Sequence, residues 1–137
     1  MIDYLQKFRL NEKIAFVVGG LGLIGREVSI AFAIAGAKTI VLDIESENGQ
    51  LFEKEINKKG YDVCLKSFDC ADMKQLDNNF SALINENGCP DIFINCSYPR
   101  TKDWGRSSFR DITFESYRVN VDIHMDSYTW LARLAAE

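Results

Sequence analysis

Histidine and proline are scarce in this 137-residue chain, which has one His, His124, and two Pro, Pro90 and Pro99. The four cysteines, Cys64, Cys70, Cys89 and Cys96, contain no Cys-x-x-Cys pair and lie far from His124 in sequence. With so few soft ligands at such spacings no metal site is expected, and reduced thiols fit a cytoplasmic protein. No block of Lys or Arg forms the basic footprint of a nucleic-acid binder, and the formal net charge is −4. No apolar run approaches the roughly 20 residues of a membrane-spanning helix, and the opening residues lack a signal-peptide pattern. Neither nucleic acid nor membrane is therefore an expected partner. What remains is the length of one domain with the balance of apolar and charged residues usual in a globular protein.

Glycine carries the information instead. The segment Val17-Val18-Gly19-Gly20-Leu21-Gly22-Leu23-Ile24-Gly25 sets Gly19, Gly22 and Gly25 three residues apart, between the apolar run Ile14–Val18 and a helical pattern beginning near Arg26. A dinucleotide needs this arrangement. Glycines let the backbone turn tightly and approach a pyrophosphate, and the helix that follows presents free N–H groups and the positive end of its dipole. The next apolar run, Thr39–Leu42, closes on Asp43, 18 positions after Gly25. That is close to the spacing of an acceptor for a ribose hydroxyl. No Arg or Lys follows directly (Ile44, Glu45) and none lies in the glycine turn, so a 2′-phosphate would meet only repulsion and NAD is expected over NADP.

Strand-like and helix-like segments alternate along the chain. Strands are predicted over Ile14–Val18, Thr39–Asp43, Val63–Phe68 and Asp91–Cys96. Helices are predicted over Arg26–Ala35, stopped by Gly36, over Ser46–Lys59, closed by Gly60 as a left-handed cap, and over Met73–Asn85, ending before Gly88 and Pro90. A last helix runs from its cap Thr113, with Glu115 in the first turn, to Glu137. Its apolar side is expected to carry Tyr117, Val121, Met125, Tyr128, Ala132 and Ala135. Four strand–helix units imply an α/β, Rossmann-type parallel sheet with helices on both faces and right-handed crossovers. Ligands bind beyond the carboxyl ends of such strands, so the irregular stretch Ser97–Ile112 is placed to meet whatever the nucleotide meets.

These residues resemble a short-chain dehydrogenase/reductase. The lead-in Phe8-Arg9-Leu10-Asn11-Glu12-Lys13-Ile14-Ala15 is similar to the family's approach to its first strand. The glycine turn resembles its cofactor turn, with the Gly19-x-x-Gly22-x-x-Gly25 spacing of the extended branch and Val18 where many members carry Thr. The resemblance implies cofactor contacts from Gly19, Gly22, Leu23, Ile24, Gly25 and Asp43, and from Asp69-Cys70 at the position that holds the adenine ring. Asn95-Cys96-Ser97-Tyr98 stands in the place of the family's Asn-Asn-Ala-Gly segment, so Asn95 is implied to brace the sheet, with Cys96 and Ser97 beside the cofactor. Asn120 matches the Asn of the catalytic tetrad, which supports the backbone and a water that relays protons to the active-site Lys. The stretch from Tyr98 through Arg106, with Asp111–Asp122, is similar to a bacterial subgroup linked with flagellin modification and surface-sugar biosynthesis. The implied activity is hydride transfer between NAD(H) and a carbonyl or alcohol, on a sugar or sugar nucleotide, by a homo-oligomer.

The family's chemistry also requires a Tyr with a Lys four residues later on one helix, and a Ser on a fifth strand. The family pattern puts all three beyond position 137. Tyr98-Pro99-Arg100-Thr101-Lys102 does read Tyr-x-x-x-Lys, but Pro99 disfavours helical backbone at Tyr98, and a loop does not set the two side chains on one face. Residues 1–137 are thus expected to form the N-terminal, cofactor-binding Rossmann portion of an enzyme, ending before the fifth strand and inactive alone. Two other readings stay open: a naturally short, non-catalytic nucleotide-binding module, and a structural or interaction protein that keeps the fold without the ligand. The loop carrying Arg100, Lys102, Trp104, Arg106, Phe109 and Arg110 fits either an anionic sugar or a solvated subunit interface.

Overall fold

The computed structural model describes residues 4–44, 47–103, 105 and 108–137. Four parallel strands, β1 (Ile14–Val18), β2 (Lys38–Asp43), β3 (Val63–Ser67) and β4 (Ile92–Asn95), stand in the order β3-β2-β1-β4. Helices α1 (Leu23–Ala35), α2 (Glu47–Lys58), α3 (Leu76–Asn87) and α4 (Phe114–Ala136) alternate with them. This is the Rossmann-type sheet the alternation predicts. The strand order reverses between β1 and β4, which is where open α/β sheets form their ligand crevice.

Side chains alternate across each strand and divide the core in two. Phe16, Val18, Ile40 and Leu42 pack with Leu76, Phe80 and Leu83 of α3 and Leu131 of α4. Val41 and Val63 pack with Ala33 of α1 and with Phe52 and Ile56 of α2. Phe80 stands edge-on to both Phe16 and Phe93, with ring centroids 6.1 and 6.0 Å apart, the geometry that ring quadrupoles favour. Full burial of each such ring contributes about 1.5–3 kcal/mol.

The two outer strands are treated differently. Along the free side of β3, Asn57 donates from Nδ2 to the Val63 carbonyl at 2.8 Å and accepts the Val63 N–H at 2.9 Å. Glu53 accepts the Leu65 N–H at 3.0 Å. Side chains of α2 thus occupy backbone groups that would otherwise template another strand. At the start of β4, Asp91 accepts from Lys13 Nζ at 2.7 Å and from the Ile14 N–H at 2.9 Å, fastening β4 to β1.

Several boundaries depart from expectation. Helix α1 begins at Leu23 rather than Arg26, because Gly22 (φ −68°, ψ 170°) is already its N-cap without any capping side chain. Helix α3 begins at Leu76 rather than Met73. Residues before it are held in turns, Asp69 accepting the Ala71 N–H and the Asp72 carbonyl accepting the Gln75 N–H. A short 3-10 helix, Tyr4–Phe8, precedes β1. The expected start of α2 at Ser46 lies outside the described residues. Thr113 does cap α4, accepting the Ser116 N–H at 3.1 Å. The expected apolar side of α4 is its inner side only in part: Ala135 packs against the core and Tyr128 is half-buried. Asn120, Ser127 and Leu131 are buried, whereas Tyr117, Val121, Met125 and Ala132 are exposed. Asn120 is held inward by Thr101, and Leu131 packs in the core farther along the same helix.

Candidate functional site

A cleft of about 900 Å³ opens at the carboxyl ends of the strands. Its floor is the turn from β1 into α1. Gly19 has φ 71°, in the left-handed region, and a Cβ there would lie 2.6 Å from the Ser97 backbone. Only glycine lets this turn nest against the segment that follows β4. A Cβ at Gly25 would collide with the Gly19 carbonyl oxygen. The first i→i−4 bond of α1 is donated by the Arg26 N–H to the Gly22 carbonyl, at 2.9 Å. The N–H groups of Leu23, Ile24 and Gly25 therefore precede the helix's own bonding. Leu23 and Ile24, 94% and 73% exposed, line the cleft with apolar surface that a ligand would cover.

Asp43 ends β2 at the same cleft. Its Oδ2 accepts the Leu21 N–H and its Oδ1 the Ile44 N–H, both at 2.8 Å. Each carboxylate oxygen keeps a second lone pair for another donor. After β3 come Asp69 and Cys70 on the cleft wall, and Cys70 is 8% exposed. After β4, Asn95 Oδ1 accepts from both the Ser97 N–H at 2.9 Å and the Ser97 hydroxyl at 2.6 Å. That pair of bonds sets the turn that brings Cys96 and Ser97 to the cleft. Burial pushes the thiols of Cys70 and Cys96 up from their ordinary value, a hydrogen bond with Ser97 opposing the shift at Cys70. Both thiols are consequently neutral near pH 7.

Gly19, Gly22, Leu23, Ile24, Asp43, Asp69, Cys70, Cys96 and Ser97 line one cleft together. Gly25 and Asn95 shape the turns behind its wall. Asn120 lies farther back, 9% exposed, and donates from Nδ2 to Thr101 Oγ1 at 3.0 Å and to the Ser116 carbonyl at 2.8 Å. Tyr98 and Lys102 sit in non-helical backbone, so their spacing gives them no shared helical face.

Sequence reasoning missed the clamp that holds the wall after β4. Tyr128 donates its hydroxyl to the Ser97 carbonyl at 2.6 Å. The Tyr98 ring lies on His124, centroids 4.6 Å apart, and His124 meets Tyr128 at 5.6 Å. His124 Nδ1 donates to the Asn120 carbonyl at 2.6 Å. Thr101 donates to Asp103 at 2.6 Å, and Asp103 in turn accepts from Ser116. Asn120, His124, Ser127 and Leu131 recur at helical spacing, a signal available in the sequence but masked by the more apolar neighbouring stripe.

Known proteins resemble this chain in sequence and in fold. The chain is 28% identical over 130 residues to the post-translational flagellin modification protein A of Campylobacter coli, covering 87% of this chain and 47% of the relative. It is 32% identical over 117 residues to a galactitol 2-dehydrogenase of Agrobacterium fabrum, covering 85% and 43%. The chain thus spans about half the length of the curated relatives it matches. A gluconate 5-dehydrogenase of Burkholderia cenocepacia, solved with NADP and tartrate, superposes with a TM-score of 0.79 at 21% identity, over 98% of this chain and 51% of that one. Among the described residues no helix is long and apolar enough to cross a membrane. The profile of the short chain dehydrogenases matches residues 13–137, taking in every strand, the glycine turn and all of α4, and this chain belongs to that family.

Proposed function

We propose that residues 1–137 form the cofactor-binding Rossmann domain of an NAD-dependent oxidoreductase that interconverts a carbonyl and an alcohol. The bound nicotinamide supplies the hydride chemistry. Gly19 and Gly22 let the backbone approach the cofactor, and the N–H groups of Leu23, Ile24 and Gly25 receive its pyrophosphate. Asp69 and Cys70 hold the adenine side, while Asn95 fixes the turn carrying Cys96 and Ser97. Asn120 acts behind the wall as a positioning residue, supporting backbone and the family's proton relay. On this reading, residues 1–137 do not themselves carry the Ser and the Tyr–Lys pair of that chemistry.

One observation carries the choice of NAD: the Asp43 carboxylate, fixed by the Leu21 and Ile44 N–H groups at the cleft edge. It accepts ribose hydroxyls and repels a 2′-phosphate, and no cationic side chain directly follows it, Ile44 and Glu45 being next. That the gluconate 5-dehydrogenase was solved with NADP makes the discriminating experiment direct. Titration of the chain with NADH and NADPH, followed by nucleotide fluorescence, should show tighter NADH binding; equal affinities would refute the assignment. Failure to bind either would favour a structural role for the fold.

A sugar or sugar derivative is the proposed substrate class. The names of the relatives, a galactitol 2-dehydrogenase and a flagellin modification protein, support it. A cytoplasmic homo-oligomer, without nucleic-acid or membrane partners, completes the reading.

A further inference from the structure

The charges lining the cleft are segregated. Asp43 and Asp69 stand at the ends of β2 and β3, and Arg100, beyond β4, is the one cation among the described lining residues. None of the ion pairs among the described residues engages it. Its backbone is held on both sides. Before it, the Ser97 carbonyl is bound by Tyr128 and the Tyr98 ring lies on His124. Directly after it, Thr101 bonds Asn120 and Asp103. An exposed guanidinium on an anchored backbone, lining a cleft and with no carboxylate partner among the described residues, is suited to a planar anionic group.

The cofactor does not require this cation. In the reading above, on which the present inference rests, its pyrophosphate is received by the first turn of α1, on a different element. We propose that Arg100 determines specificity for an anionic second ligand, a hydroxy or keto compound bearing a carboxylate or phosphate. A neutral polyol lacks the group that Arg100 would pair with.

The test uses the 137-residue chain loaded with NADH, with gluconate and the uncharged glucitol as probes, their binding followed by ligand-observed NMR. Gluconate should bind more tightly than glucitol, and added salt should reduce the difference. Arg100→Gln should weaken gluconate about tenfold, the scale of one charge-assisted hydrogen-bonded pair, and leave glucitol and NADH unchanged. Arg100→Lys should restore part of the loss. Equal binding of gluconate and glucitol by the wild-type chain would overturn the proposal, as would an Arg100→Gln effect confined to NADH, which would assign the guanidinium to the cofactor. Absence of NADH binding by the wild-type chain would instead overturn the reading on which it rests, so the two failures are distinguishable.

Discussion

The Asp43 carboxylate accepts the Leu21 backbone N–H at 2.8 Å, tying the end of β2 to the glycine turn that leaves β1. One side chain thereby sets the shape of the turn and presents charge to the cleft. Asp43→Ala should do two measurable things. The ratio of NADPH to NADH dissociation constants should fall about tenfold or more, since one repulsive and hydrogen-bonding group is removed. Stability in urea should drop by about 1–2 kcal/mol, because two backbone donors lose their acceptor. An unchanged ratio would show that Asp43 does not discriminate the cofactors.

Two glycines with positive φ separate backbone strain from steric collision. Gly60 (φ 89°) has nothing within 4 Å of an added Cβ, whereas Gly19 (φ 71°) would meet the Ser97 backbone. Gly60→Ala should cost only the left-handed conformation, about 1–2 kcal/mol, and spare nucleotide binding. Gly19→Ala should cost more and abolish NADH binding, because β4's following segment must move. Urea unfolding and NADH titration of the two variants check this; equal effects would contradict the geometry.

Tyr98 and Lys102 will not act as an acid–base pair, since their backbone is not helical. The 137-residue chain should show no NADH oxidation with a panel of keto sugars, and Tyr98→Phe should change nothing. Turnover abolished by Tyr98→Phe would reverse this conclusion.

Helix α4 turns Phe114, Tyr117 and Met125 to solvent, 74%, 53% and 58% exposed. Apolar stripes of this kind rarely stay uncovered, so self-association at micromolar concentration is expected. Tyr117→Glu with Met125→Glu should shift the sedimentation coefficient toward the monomer value without altering urea stability. A monomeric wild-type chain would remove the basis for a homo-oligomer.

Acid sensitivity should include a contribution from Asp91. Its hydrogen bond to Lys13, with the Ile14 N–H, holds its carboxyl below the ordinary 3.8. A carboxyl depressed on folding stabilises above its unfolded pKa and loses that contribution as pH falls through the folded value. The unfolding midpoint should therefore decline below pH 3.8, and Asp91→Asn should make that decline shallower. Because the pair is solvent-exposed the effect is small. Identical pH profiles for the two proteins would exclude the contribution.

Much of this fold is legible in the residues themselves. The strands announce themselves as short apolar runs bounded by turn residues, and the glycine turn is legible because Gly19 and Gly25 occupy positions no side chain fits. The start of α1 was not, since Gly22 caps it without a side-chain signature. The inner face of α4 was hidden for a different reason. The loop after β4 draws Asn120 inward through Thr101 and lays the Tyr98 ring on His124, while Ser127 bonds within the helix to the His124 carbonyl. Tertiary hydrogen bonding overrode periodicity there. The place of Ser97–Ile112 after β4 brings that loop to the cleft, but that Arg100 is the cation lining it among the described residues depends on where the clamped loop runs.

Asn57 and Glu53 give the sheet a sense of direction. With Val63 and Leu65 already bonded to α2, further strands have access only beside β4. For residues 1–137 by themselves, pairing between copies is therefore expected beside β4, which favours a closed pair over a fibre.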